Sequence, residues 1–454
     1  MTTQKRAAFG SRIGMVLAAA GSAVGLGNIW RFPYEAGNNG GGAFLLIYLG
    51  CVVLIGLPLM VSEFLVGRRS QANTALAFET LVPRSAWKWV GRGGVLTAFL
   101  ILSYYCVVAG WTLEYMLESA TNSFAGKTAA EYASNFGAFI TNPWRPLIWL
   151  FVFMGITHYV VVRGVEAGIE RASKIMMPLL FILLIILLLS AVTLPNAGKG
   201  VEFLLTPDFS KVTGSTFLSA MGQAFFSLSL GMGLTTYASY FDRKVNITKT
   251  ALSVCSIDTL VAMLAGFIIF PAAFSVGIQP DAGPGLVFIT LPNVFQQAFG
   301  SMPFLAMLLS LMFYALLALA ALTSAIFLHE VATAYLHEEF AFSRTKSASI
   351  ITASALVLGV TCSLSLGPLK DYTLFGMVVF DCFDYFTAKI MLPLVGFFIA
   401  IFVGWRLDKR LVKEEVTHYG ELRDGVYKLL IFFVRYLVPA AILSIFLNEL
   451  KVFS

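Results

Sequence analysis

The sequence predicts an all-α integral membrane protein with about eleven transmembrane helices, and two observations support that class. Apolar residues make up 58% of the 454 positions and charged residues only 12%, which leaves too few charges to cover a water-soluble globule of this size. Apolar runs of roughly 18 to 30 residues recur along the chain, each long enough to cross a hydrocarbon core about 30 Å thick as a helix.

The apolar runs set the order of the predicted helices. The longest polar connections between them, near 118–145 and 195–215, are of loop size. We therefore expect a single transmembrane domain over residues 1–454 and no soluble domain. The predicted spans lie near 13–34, 43–67, 90–117, 146–162, 175–194, 216–240, 251–276, 303–335, 348–366, 375–405 and 427–448.

The first run contains the segment GSAVGLGNIWRFP, residues 21–33, which places glycines and polar side chains at mid-depth of the predicted helix. Unpartnered backbone groups cost several kcal/mol each in lipid, so an opened helix survives there only where protein, water or a ligand satisfies it. Gly21 and Gly25 also fit the spacing of a small-residue packing face. That alternative does not account for Asn28 and Arg31, a few residues later.

The sixth run repeats the interruption with FFSLSLGMG, residues 225–233. Five spans separate the starts of the two interrupted helices, an odd number, so the two halves enter the membrane from opposite sides. This pattern is typical of an inverted 5+5 repeat that holds a substrate at the bilayer midplane. The expected units are repeat one over about 11–194, repeat two over about 216–405 and an extra helix over about 427–448.

An opened helix offers two kinds of ligand at once. Its freed carbonyls attract cations, while the N-terminus of the following half-helix presents N–H groups and a positive dipole end to an anion. One break can therefore hold both Na⁺ and a carboxylate. A nucleotide-binding loop is excluded, because GLGNIW lacks the third glycine and follows no strand.

The basic residues predict the orientation of the chain in the membrane. Most of the 31 Lys and Arg residues fall in segments that are cytoplasmic if the N-terminus is inside, as the positive-inside rule requires. We expect a multi-pass protein of the cell membrane with a cytoplasmic N-terminus and, from the odd span number, an extracellular C-terminus. No basic stripe marks a soluble face, so the net charge of +6 does not indicate nucleic-acid binding.

The cysteines and histidines indicate no redox or metal chemistry. All five cysteines lie within apolar runs, where they are expected to pack as small hydrophobic residues. The four histidines do not have the spacing of a zinc cluster. They are His158, His329, His337 and His418.

Several motifs together resemble the neurotransmitter:sodium symporter family, over nearly the whole chain, and in particular its bacterial amino-acid members. The motifs are GSAVGLGNIWRFPY with NGGGAFLLIY, GIERASKIMMP, GQAFFSLSLGMG, FITLP at 288–292 and LTSAIFL at 322–328. The resemblance implies a sodium-coupled symporter that imports a neutral amino acid by alternating access. It also implies two bound Na⁺ ions.

The resemblance implies that the first sodium site uses Ala23, Asn28 and Ser227, together with the substrate carboxylate. Asp258 lies in the seventh span, in CSIDTLVAML, where the family often has a neutral residue. A carboxylate buried at that depth is expensive unless it faces a cation. We therefore expect Asp258 to bind this sodium and to replace the negative charge that chloride-dependent relatives take from the anion.

The second sodium site implied by the resemblance lies between the first and eighth spans. Its ligands are all oxygen atoms, which suits a hard monovalent cation. They come from Gly21, Val24, Ala320, Thr323 and Ser324.

The implied substrate pocket is mostly apolar, which favours a neutral hydrophobic L-amino acid. In the implied complex, the substrate carboxylate contacts the amides of Leu26 and Gly27 and the hydroxyl of Tyr105. Aromatic packing alone is the alternative role for Tyr104 and Tyr105. The flexible thioether of Met232 favours large or aromatic substrate side chains. Gly25 stands where monoamine carriers of the family have Asp, which argues against monoamines. The expected pocket residues are Ser22, Ala23, Gly25, Leu26, Gly27, Ile101, Tyr105, Phe226, Ser227, Ser229, Met232, Ser324 and Leu328.

The resemblance also implies gates on both sides of the pocket. Arg31 and Asp384 resemble the outer pair, with Asp381 as a competitor for the second position and Phe226 as a lid. Arg6 and Glu338 resemble the inner pair, with Phe9 beside them.

The inner end of the fifth span is expected to unwind. Gly168 and Pro178 both disfavour a rigid helix, so water could reach the second sodium from this side. An ordinary helix start with a proline kink is the alternative.

Other functional classes lack their signatures. The sequence shows no ring of charges or repeated filter typical of a channel. It also lacks the nucleophile and base, or the metal set, of an intramembrane enzyme. Lys389, within the tenth predicted span, is the one residue of the sequence that suggests such chemistry. A lysine that extends to the membrane surface or pairs with an acidic residue accounts for its position. A non-transporting amino-acid sensor of the same fold stays open.

Overall fold

The structure is a computed structural model that describes residues 8–275, 286–299 and 301–449. We number its membrane helices α1 to α11 in chain order. The first five are α1 in two segments, Arg12–Ala23 and Gly27–Asn38, then α2 Gly42–Ser70, α3 Lys88–Ala120, α4 Arg145–Val162 and α5 Val165–Val192. The next are α6 in two segments, Gly214–Ser227 and Leu234–Ala238, then α7 Ile247–Ser275, α8 Pro303–Glu339, α9 Arg344–Leu364, α10 Val379–Arg406 and α11 Asp424–Ser444.

The helices account for the predicted number of spans. Within the described ranges, nine helices are long and apolar enough to cross a membrane unbroken, and the bent pair of α1 makes ten. The two segments of α6, 14 and 5 residues long, occupy the place of the remaining predicted span, 216–240. The start of α5 differs from the prediction, because the helix begins ten residues earlier, at Val165. Its first turns carry charged residues, which an apolar-run criterion does not detect.

Shorter elements connect the membrane helices. Two residues each from β1, Thr373–Leu374, and β2, Met377–Val378, pair as an antiparallel hairpin before α10. The short helices are Thr74–Leu81, Ala129–Thr141, Ala197–Leu205, Phe209–Lys211, Leu291–Phe299 and Lys409–Thr417.

Packing places both interrupted helices at the centre of the bundle. The first segment of α1 contacts α5, α7 and α8, while α6 packs against α2. The α2 backbone comes so close to the second segment of α6 that a Cβ on Gly67 would overlap the carbonyl oxygen of Thr235. The two breaks therefore face each other inside protein, where their freed backbone groups have partners other than lipid.

Candidate functional site

The two helix breaks lie side by side. Helix α1 is interrupted at Val24–Leu26, and its two segments are bent by 49°. Helix α6 is interrupted at Leu228–Gly233, where Ser229, Gly231 and Gly233 have φ values of 54°, 78° and 102°. These left-handed conformations turn the chain between the two segments of α6. Ser229 Oγ donates a hydrogen bond to the carbonyl oxygen of Ser22 at 2.8 Å, which ties the two breaks together.

Glu63 of α2 supports the α6 break, and the sequence reasoning missed it. Its side chain is fully buried, and Oε1 accepts a hydrogen bond from the backbone N–H of Gly231 at 2.8 Å. The break thus gains an acceptor for one of its freed donors. The available signal was the single acidic residue within the apolar run LPLMVSEFLVG.

A small cavity of about 20 Å³ lies between the breaks and α3 and α8. This volume is enough for about one water molecule, so the lining side chains must move apart to admit an amino acid. Phe327 joins the lining although the sequence did not predict it, while Ser22 and Ser227 lie outside it. The lining residues are Ala23, Gly25, Leu26, Gly27, Ile101, Tyr105, Phe226, Ser229, Met232, Ser324, Phe327 and Leu328.

One end of the cavity is polar. The hydroxyl of Tyr105 accepts a hydrogen bond from the N–H of Leu26 at 3.4 Å. A Cβ on Gly25 would overlap Ser324 Oγ and lie 3.1 Å from the Tyr105 hydroxyl. No larger residue fits this corner without displacement, so the space between the α1 break and Tyr105 stays open.

A buried polar cluster next to the cavity joins α1, α6 and α7. Asn28 Nδ2 donates to Asp258 Oδ1 at 2.7 Å and lies 3.0 Å from Ser227 Oγ. Ser227 Oγ donates to both oxygens of the same carboxylate, at 3.0 and 2.9 Å, and the Tyr48 hydroxyl lies 3.4 Å away. All these partners of Asp258 are neutral. A fully buried carboxylate with only neutral partners is suited to a cation at close range.

A second group of oxygen atoms lies between α1 and α8. Thr323 Oγ1 lies 3.1 Å from the carbonyl oxygen of Val24 and 2.9 Å from that of Ala320. Ser324 Oγ lies 3.2 Å from the Val24 carbonyl. A Cβ on Gly21 would lie 3.3 Å from Thr323, so the two helices are in close contact there. This oxygen-only cluster has the composition that alkali cations prefer.

The face of the cavity predicted to be the outer one is lined by Phe226, over which Arg31 lies. The guanidinium carbon of Arg31 lies 4.9 Å from the centre of the Phe226 ring, and its Nε lies 3.7 Å from Glu35 Oε1. Among the described residues, Arg31 forms its ion pair with Glu35 and forms none with Asp384. The carbonyl of Asp384 accepts from Thr387 Oγ1 at 3.3 Å. The pairing of Arg31 with Asp384 or Asp381 stays a prediction.

On the side predicted to be the inner one, Phe9 lies in an aromatic group. Its ring centre lies 5.9 Å from that of Tyr237 and 6.0 Å from that of Tyr240, both edge-on. Glu338 Oε2 accepts from the backbone N–H and from Nδ2 of Asn73, each at 3.0 Å. Arg6, the expected partner of Glu338, lies outside the described residues.

The inner end of α5 departs from regular α-helix. Residues Val165–Glu170 form a π-helical turn after Gly164, whose φ is 93°, and Pro178 lies inside the helix that follows. A Cβ on Gly168 would overlap the carbonyl oxygen of Val160. Substituting Gly168 by Ala would therefore displace the α4–α5 junction and would not merely stiffen α5.

A model of the sodium:neurotransmitter symporter family matches residues 6–142 and 139–454, which is nearly the whole chain. The chain belongs to this family. A sodium-dependent transporter of Bacillus subtilis (strain 168), YhdH, is 41% identical over 456 residues, 100% of each chain. One of Haemophilus influenzae is 37% identical and covers 99% of this chain and 100% of its own.

A solved member of the family shares the fold. The crystal structure of MhsT in complex with L-phenylalanine matches with a TM-score of 0.89 and 44% identity, over 97% of this chain and 99% of that one. The all-α fold with broken first and sixth helices is therefore confirmed. As a symporter of this family, the chain is a multi-pass, sodium-dependent membrane transporter and not an enzyme.

Proposed function

We propose that this symporter imports neutral hydrophobic L-amino acids, including aromatic ones, with two Na⁺ ions and without chloride. The observation that carries the proposal is the mostly apolar cavity between the two helix breaks, where the hydroxyls of Ser324 and Tyr105 lie beside Gly25. A hydrophobic amino acid needs hydrogen-bonding partners for its carboxylate and ammonium groups and apolar surroundings for its side chain. The bound L-phenylalanine in the related MhsT structure supports this substrate class.

The substrate carboxylate points to the amides of Leu26 and Gly27 and to the Tyr105 hydroxyl in this proposal. Its ammonium group faces the carbonyls of Ala23, Phe226 and Ser227, and its side chain extends toward Ile101, Ser229, Met232, Phe327 and Leu328. Within the part of the chain that the structure describes, no charged side chain lines the cavity. A charged substrate side chain would therefore lose its hydration without a partner.

The two polar clusters are the proposed sodium sites. The first uses Ala23, Asn28, Ser227 and Asp258 and is completed by the substrate carboxylate, which couples ion to substrate. The second uses Gly21, Val24, Ala320, Thr323 and Ser324. Since Asp258 brings a fixed negative charge to the first site, chloride is not required. Each positive charge that moves inward gains about 2.3 kcal/mol per 100 mV of membrane potential.

Alternating access requires that one side of the cavity opens while the other closes. We propose that Arg31 and Phe226, with Asp384 or Asp381, close the outer side, and that Phe9, Arg6 and Glu338 close the inner side. The N-terminus is cytoplasmic and the C-terminus extracellular in the cell membrane. Cysteines introduced one at a time near residues 8 and 449 test this orientation through labelling of intact cells by an impermeant reagent.

Uptake into proteoliposomes tests the proposed function. An inward Na⁺ gradient should drive accumulation of labelled phenylalanine, while a K⁺ gradient should not. Replacement of chloride by gluconate should leave the rate unchanged. A competition panel should show inhibition by hydrophobic and aromatic amino acids and none by lysine, glutamate or monoamines.

The same experiment separates a carrier from the alternative, a non-transporting sensor of the same fold. A sensor would bind phenylalanine in a Na⁺-dependent way but would not concentrate it inside vesicles. Equal binding in Na⁺ and K⁺ buffers would contradict both functions.

A further inference from the structure

A buried carboxylate outside both proposed sodium sites joins the inner ends of α1 and α5. Glu170 is the last residue of the π-helical turn at the start of α5 and is 1% exposed. Its Oε2 accepts a hydrogen bond from the backbone N–H of Gly10 at 2.6 Å, and its Oε1 accepts from Ser11 Oγ at 2.7 Å. Lys174, one turn later, lies 2.6 Å from Oε1.

These contacts fasten the beginning of α1. Ser11 is the N-cap of α1, and its Oγ also accepts from the N–H of Gly14 at 3.0 Å. The carboxylate therefore extends the cap to donors that precede the helix, at the end where the helix dipole favours a negative charge. A Cβ on Gly14 would overlap the Glu170 side chain, so the carboxylate lies directly on the first turn of α1.

Glu170 lies between two segments that are expected to move when the cavity opens inward, the first turn of α5 and the first segment of α1. Its own turn contains Gly168 and lies against the end of α4. The segment that it caps leads along α1 to Val24, whose carbonyl belongs to the second oxygen cluster. Unwinding of the α5 turn would withdraw the carboxylate from Gly10 and Ser11 and would leave the start of α1 without its cap.

We propose that Glu170 is a positioning residue that makes unwinding of α5 and release of the first segment of α1 a single event. It acts through Gly10 and Ser11 and touches neither substrate nor sodium. This inference rests on the proposed alternating access. Loss of the carboxylate should free α1, favour the inward-open form, and weaken sodium binding at the second site.

Hydrogen exchange in purified full-length protein tests the linkage. In the wild type, Na⁺ should slow exchange of residues 8–23 and 165–176 together relative to K⁺. Glu170→Gln should speed exchange in both segments, and the Na⁺ concentration for half-maximal phenylalanine binding should rise by about fivefold or more. Glu414→Gln is the control, because Glu414 is an exposed carboxylate in the helix Lys409–Thr417, which packs against α2 and α7, and it should behave as the wild type.

Ser11→Ala keeps the test decisive if Glu170→Gln does not fold. It removes one donor from the opposite side, so it should speed exchange in both segments, including that of α5, which contains no substitution. If Glu170→Gln does fold, the double variant should show less than the sum of the two single effects. Faster exchange in residues 8–23 alone would overturn the inference, because Glu170 would then be only a local cap.

Failure of the proposed function gives a different result. A wild type that binds Na⁺ but accumulates no phenylalanine would refute the symporter proposal and leave the exchange linkage measurable. Absence of any Na⁺ effect on exchange in either segment would overturn the linkage itself.

Discussion

At the scale of single residues, Asp258 has the clearest physical role. Removing one partner of a buried charge interaction leaves the other uncompensated and is strongly destabilising. The carboxylate contacts Asn28 and Ser227 directly, whereas its contact with Tyr48 is long. The negative charge should therefore decide both ion affinity and the anion requirement of transport.

We expect Asp258→Asn to raise the half-saturating Na⁺ concentration by roughly ten- to a hundredfold, the range typical of altered metal shells. Chloride should then stimulate uptake, since an anion could restore the missing charge. Uptake measured in chloride and in gluconate checks this. Tyr48→Phe is the control and should change both properties less. Unchanged sodium dependence in Asp258→Asn would remove this residue from the first site.

Met232 is the residue expected to set the upper size of the substrate. It lines the cavity and is 4% exposed, so a stiffer and larger side chain must occupy substrate space. Met232→Phe should weaken competition by tryptophan by about tenfold or more and affect alanine little. The volume-conserving Met232→Leu should keep the wild-type order. The competition panel measures both, and equal weakening for all amino acids would contradict a size effect.

At the scale of elements, we expect the two interrupted helices, α1 and α6, to bind the ligands and α5 to move. In the proposed function the breaks in α1 and α6 hold ligands because their backbone groups are open, and Glu63 and Ser229 satisfy some of these groups. The first turn of α5 is π-helical, as are turns in α1, α2, α10 and α11, and Pro178 follows it inside the same helix. That segment contributes no cavity residue, and its unwinding stays a prediction.

Pro178→Ala tests this division. It permits the backbone hydrogen bond that proline removes from the helix interior, and so should make unwinding of α5 harder. We expect a lower maximal transport rate with unchanged equilibrium binding of phenylalanine. Gly155→Ala in α4, where a Cβ would meet open space, controls for a general effect of alanine. A fall in binding with an unchanged maximal rate would assign Pro178 to the site instead.

At the scale of the whole molecule, bound sodium and substrate should hold together helices that are distant in sequence. The proposed sites draw ligands from α1, α3, α6, α7 and α8, so ligands that bind only the folded state stabilise the assembly of these helices. The effect follows from mass action and reaches about 2.7 kcal/mol for a ligand at a hundred times its dissociation constant.

Thermal unfolding in detergent measures that stabilisation. We expect a higher Tm in Na⁺ than in K⁺, and a further increase when phenylalanine is added in Na⁺ only. Thr323→Val should reduce the first increase, because it removes one hydroxyl from the second sodium site. A phenylalanine effect of equal size in K⁺ would show that substrate binds without the ion.

The sequence by itself determined the membrane class, the number of spans, the two breaks and the family. These depend on local composition: long apolar runs, and glycines and polar residues that cannot lie at mid-depth in an intact helix. The motifs also predicted most of the cavity lining. The residue types of the lining follow from what the site must bind, so they can be recognised in the sequence.

Only the tertiary structure decided which distant groups meet. It placed Glu63 beneath the α6 break and added Phe327 to the cavity. It also showed that Gly168 faces the Val160 carbonyl and that Glu170 caps α1. Such contacts join residues up to 168 positions apart. No periodicity or local motif encodes them, because they depend on how helices cross and how closely their backbones approach.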